Sequence, residues 1–74
     1  MTLEEVAGFL LDEDARLREL IRLYVGKDEV QDIILALAGH LVRHHATLQA
    51  GPRLRGIVLC VLDALLSERA SKEN

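Results

Sequence analysis

Aromatic residues are nearly missing from this chain: Phe9 and Tyr24 are the only two, and tryptophan is absent. Small-molecule pockets draw on aromatic walls, and tolerant binding of unpaired bases rests on aromatic stacking, so both functions lack their usual material. Cysteine occurs once, at Cys60, which excludes an internal disulfide framework and a cysteine-based structural zinc. The five glycines are scattered singly, so no glycine-rich phosphate loop exists. Serine is confined to Ser67 and Ser71 near the end, far from any nucleophile constellation. The opening Thr2-Leu3-Glu4-Glu5 lacks the basic and apolar stretch of a secretory leader, and a cytoplasmic, reducing location is expected.

What is present is aliphatic. Half of the 74 residues are hydrophobic, and leucine, isoleucine, valine and alanine supply 33 of those 37. Leucine and alanine lose little on entering a helix, so this composition suits a core of packed helices. At 8.2 kDa the chain is one domain, residues 1–74. A compact fold of that mass would expose roughly 4,500 Å² and bury only about 60% of the unfolded surface. A monomer of this size is marginal.

Three helical segments follow from the spacing. Thr2 and Glu5 form a capping box, and apolar residues recur at Leu3, Val6, Leu10, Leu17, Leu20 and Tyr24, widened by Ala7 and Ile21. The stripe lapses at Asp12-Glu13-Asp14, where either one helix continues to about residue 25 or a second begins, capped by Asp12 or Asp14. Gly26 is expected to end it in the left-handed conformation. A second box, Asp28 with Gln31, opens the next segment, whose seam runs Val30, Ile34, Leu37, Leu41, His44 and Leu48 and is expected to end near Ala50. Gly51-Pro52 stops that helix and starts another. The third segment carries Leu54, Val58, Val61 and Leu65, with an apolar run from Ile57 to Leu62. Arg55 and Asp63 bracket too few residues to span a bilayer, so no membrane role is expected. The polar tail, residues 67–74, is expected to fray. The predicted fold is all-α: a small antiparallel bundle of three main helices, the first one or two pieces at residues 12–14.

An apolar run so nearly continuous exceeds what two other helices can cover. Leu54, Ile57, Val58, Val61, Leu62 and Leu65 are therefore the candidate protein interface, with a homo-oligomer, a dimer above all, or a protein partner as its occupant. A second feature is electrical. Residues 1–32 hold nine acids and four bases, whereas residues 33–62 hold three arginines and no acid. Arg43, His44, His45, Arg53 and Arg55 thus form a basic corner at the second turn, a candidate contact for an acidic partner or for phosphate. A helix-turn-helix reading of that corner fails on its would-be recognition helix, because residues 57–62 offer nothing to base edges.

Catalytic and metal readings are weaker. His40 and His44 share a face at metal-ligand spacing, but Leu41 stands where a metalloprotease helix needs its glutamate. Histidines near a helix C-terminus have a simpler role in meeting its partial negative charge. Cys60 sits in the most apolar stretch, where a shielded small hydrophobe is expected rather than a thiolate. Asp12-Glu13-Asp14 lacks the alternating ligands and central glycine of a calcium loop. No cofactor, no metal and no enzymatic activity is expected. The function expected is a small protein-interaction module of adaptor, chaperone or inhibitor type; the alternative is a dimeric nucleic-acid-binding regulator.

Overall fold

Thr2 starts the first helix as its sequence dictates. Its hydroxyl accepts from the Glu5 amide at 3.1 Å, and its own amide donates to the Glu5 carboxylate at 3.0 Å. In the computed structural model, which describes residues 1–73 with side chains through Arg69, α1 runs unbroken from Leu3 to Arg22. The acidic run does not break it, because two of its three charges find a base at helical spacing or across the fold. Asp14 accepts from Arg18 one turn on at 2.9 Å, and Glu13 accepts from Arg55 at 2.6 Å. Such pairs hold the helix through a step where the apolar stripe lapses.

Gly26 does not turn left-handed; it is extended, at φ −68° and ψ 158°, and leads into a single 3₁₀ turn, Lys27–Glu29. The expected Asp28–Gln31 box is absent, since that turn carries the chain into α2, Val30–Arg43, without a side-chain cap. Gln31 instead accepts from Arg18 of α1 at 2.9 Å. α2 stops at Arg43, seven residues before the expected end at Ala50. His44 leaves helical geometry, and a second 3₁₀ turn, His45–Thr47, lets the His45 and Leu48 carbonyls accept from the terminal ammonium of Met1. Leu48 still reaches the core, from the turn rather than from the helix.

Gly51 takes φ +147°, a conformation open chiefly to glycine, and Pro52 opens α3, which extends to Glu73. The tail expected to fray from Ser67 is therefore helical through Glu73, and Arg69 is tied to Glu29 at 3.3 Å and Asp32 at 3.5 Å. Asn74 lies outside the described residues. The result is the three-helix, up-down-up arrangement that the spacing predicts. α2 is central: α1 and α3 each pack along it and barely on one another. The core is Val6, Leu17 and Ile21 from α1, Val30, Ile33, Leu37 and Leu41 from α2, Leu48 from the turn, and Leu54, Val58 and Leu62 from α3. Ile33 rather than Ile34 holds the α2 seam, because a 3.6-residue period closes on 30, 33, 37 and 41.

Candidate interaction surfaces

Two surfaces were expected from the sequence, and the structure treats them differently. At the basic corner the five side chains have separate engagements. Arg43 donates from Nε to the Gly39 carbonyl at 3.3 Å, and Arg55 crosses to Glu13 on α1. His45 donates from Nδ1 to the Met1 carbonyl at 2.8 Å, so its ring fastens the chain start to the α2 end. His44 leans against His40, ring centres 4.6 Å apart and planes tilted by 41°. Arg53 is exposed. The corner exists as a location, but most of its polar groups are turned onto the protein itself.

The candidate interface on α3 divides in two. Leu54, Val58 and Leu62 are inside the chain's own core, at 5%, 1% and 1% exposure, and offer no surface to a partner. Val61 and Leu65 are half-buried against that core, while Ile57 is exposed. Cys60 is exposed as well, contrary to the shielded position expected. Both outcomes have one cause. The inward residues of α3 recur every four positions from Leu54, and Cys60, two residues beyond Val58, projects from the opposite side.

Further exposed apolar side chains stand on α1 and α2. Leu3, Leu11, Leu35 and Val42 are 53%, 79%, 59% and 46% exposed. The exposed Arg18–Gln31 bond marks the outer flank along which α1 meets α2. Leu11 stands two turns before Arg18, and Leu35 and Val42 stand one and three turns after Gln31, so all three share that flank. Ala7, Ala38 and Gly39 lie near the large side chains, and the paired Asp14 and Arg18 stand on the same flank. Sequence periodicity alone misses this face, because Leu11 and Leu35 sit beside the α1 and α2 seams and read as part of a widened core stripe.

Two recesses lie between α1 and α3. A cleft of about 770 Å³ between the starts of α1 and α3 is lined by Met1, Glu5, Phe9, Asp12, Pro52 and Arg55. A smaller groove of about 130 Å³ between α1 and α3 is floored by Phe9, Leu17, Leu20, Val58 and Leu59 and crossed by Glu13 and Arg55. Neither brings a nucleophile to a base. Glu5 at the cleft's edge has its carboxyl held below the ordinary range, first by the backbone amide of Thr2 and then by its side chain. That stabilises the carboxylate at the helix start and does not poise it for proton transfer. Among the described residues, no group of three or more His, Cys, Asp or Glu side chains could hold a metal ion, and no buried side-chain polar atom lacks a partner. None of the described helices is long and apolar enough to cross a membrane.

Compared with protein-family models, with curated proteins and with solved structures, the chain matches none.

Proposed function

We propose that this chain is a small all-helical protein–protein interaction module, of adaptor, chaperone or inhibitor type, that works by burying an apolar helix face against another chain. The observation that carries the reading is the outer α1–α2 flank, where Leu11, Leu35 and Val42 stand exposed beside small residues and the paired Asp14 and Arg18. Contiguous apolar surface of this kind is rare on monomers and marks contact sites. This moves the contact from the face of α3, whose inward residues serve the core, to the α1–α2 hairpin. Such a module needs no catalytic group and no cofactor, and an exposed lone thiol at Cys60 suits a reducing cytoplasm. The engagements of Arg43, His45 and Arg55 within the chain weigh against phosphate binding as its main task.

The test is capture from native lysate with and without nuclease, comparing the wild-type chain with Leu11→Asp and with Leu35→Asp. The reading expects nuclease-resistant protein capture that both substitutions abolish while the circular dichroism stays unchanged. Nucleic acid recovered equally by all three chains would reverse it.

A further inference from the structure

We infer that the channel between α1 and α3 docks an amphipathic helix of a different protein, one that carries basic residues at seven-residue intervals along one edge. This site is separate from the α1–α2 flank and goes beyond the reading above.

The channel exists because α1 and α3 each pack along α2 and barely on one another. Shared lining residues make it continuous. The cleft and the smaller groove have Phe9 and Arg55 in common, and that groove shares Arg16 and Leu20 with a third recess of about 360 Å³ along α1, which ends at Leu23. From Glu5 to Leu23 the channel follows α1 for five turns, about 27 Å. Its apolar lining includes the chain's one phenylalanine, Phe9, together with Leu20 and the exposed Leu23 and Leu59.

A helix is the form that fits. Both walls are helices whose backbone groups are bonded internally, so an extended peptide would find no strand edge to pair with. An occupant that buries its apolar side there must satisfy its own backbone, as a helix does. Lying between α1 and α3, it would stand opposite α2 and complete a four-helix bundle.

The rim selects a basic helix. Glu5, Asp12 and Glu19 recur at seven-residue intervals, two turns apart, and edge the channel along its length. The two bases on the lining, Arg16 and Arg55, both face Glu13, at 4.0 and 2.6 Å. Among the described residues, Asp12 and Glu19 have no ion-pair partner. The lining thus holds four acidic side chains, Glu5, Asp12, Glu13 and Glu19, against two basic ones. Bases every seven residues on an incoming helix would meet all three rim acids, as flanking charges do in coiled coils. No two of this chain's nine lysines and arginines stand seven apart, so a second copy lacks the matching stripe and the partner is another protein.

The test uses two synthetic helical peptides of about 18 residues, long enough to follow the channel. Both carry leucines at alternating three- and four-residue spacing. One has lysines at three positions seven apart, and the other has glutamates there. By fluorescence anisotropy the wild-type chain should bind the lysine peptide about tenfold more tightly than the glutamate peptide, with the gap closing at raised salt. Asp12→Lys combined with Glu19→Lys should invert that order. Leu59→Asp and Leu23→Asp should each weaken binding of the lysine peptide by about tenfold or more, whereas Leu11→Asp, on the other flank of α1, should not. Circular dichroism should show every variant folded. No binding at ~1 mM peptide, equal affinity of the wild type for both peptides, or an order that the double lysine variant leaves unchanged overturns the inference. Binding lost in Leu11→Asp and kept in both Leu59→Asp and Leu23→Asp overturns it too. None of these outcomes touches the lysate test of the α1–α2 flank, which reads Leu11→Asp and Leu35→Asp against native partners.

Discussion

Arg55 of α3 places its Nη2 2.6 Å from Oε1 of Glu13 on α1, across 42 residues of sequence. The pair takes one arginine of the basic corner and directs its charge onto another helix. Glu13 is the shielded partner, its side chain 16% exposed against 59% for Arg55. An ion pair of this exposure contributes only ~0–1 kcal/mol, so its meaning is directional rather than energetic.

Changing Arg43, Arg53 and Arg55 together to Gln should therefore leave fold and assembly intact, with a loss of no more than ~1–2 kcal/mol in urea denaturation. If instead the triple variant loses partner binding while Leu11→Asp keeps it, the corner is the functional surface.

Aspartate introduced at two positions should have opposite effects. Val58→Asp buries a charge at a site 1% exposed and should cost about 3 kcal/mol or more, enough to unfold so small a domain. Leu11→Asp, at 79% exposure, should change the stability of the isolated fold by only about ±0.5 kcal/mol. Thermal unfolding read by circular dichroism, with sedimentation alongside, separates loss of fold from loss of contact.

Cys60 should react with a thiol reagent in the native protein nearly as fast as in denaturant, since it is exposed. Cys60→Ser should shift stability by about ±0.5 kcal/mol at most. Strong native protection would mean that a partner covers the outer side of α3, a different face from the one proposed.

The Glu5 carboxyl titrates below its ordinary value of 4.5 because the ion accepts from the Thr2 amide. Its stabilising contribution is therefore complete above that value and is lost as pH falls through the lowered folded value. Helix content followed by circular dichroism during acid titration should show this loss in the wild type. Glu5→Gln should flatten it, whereas Thr2→Ala, which keeps the backbone donor, should reduce it only in part and at neutral pH should cost about 1 kcal/mol as a lost cap. An unchanged acid profile in Glu5→Gln would place the sensitivity elsewhere.

Much of the fold was legible because its determinants are local. Thr2 with Glu5, and Gly51 with Pro52, set helix starts through geometry that a few neighbouring residues decide. The end of α2 was not legible, since Leu48 keeps the seam spacing and only the docking of Met1 on the His45 and Leu48 carbonyls explains the turn. The continuity of α1 through Asp12-Glu13-Asp14 depends partly on Arg55, a residue two helices away. The surface was the least legible part. An apolar run identifies a helix with too much greasy area, but which residues of it face inward depends on where α2 lies. So Val58 and Leu62 went to the core, and Leu11 and Leu35, which look like seam neighbours, stand outside.

The central place of α2 sets the pace of folding. α1 and α3 are each its neighbours in sequence as well as in space, joined to it by turns of a few residues. Closing such short loops sacrifices little chain entropy, and helical domains built from local pairings fold in roughly microseconds to milliseconds. The Glu13–Arg55, Glu29–Arg69 and Met1–Leu48 contacts span 42, 40 and 47 residues and are polar links at the periphery, suited to locking an already assembled bundle rather than nucleating it. A newly made chain would therefore reach its folded shape well before it met a partner, and assembly, not folding, would be the step that depends on how much protein the cell makes.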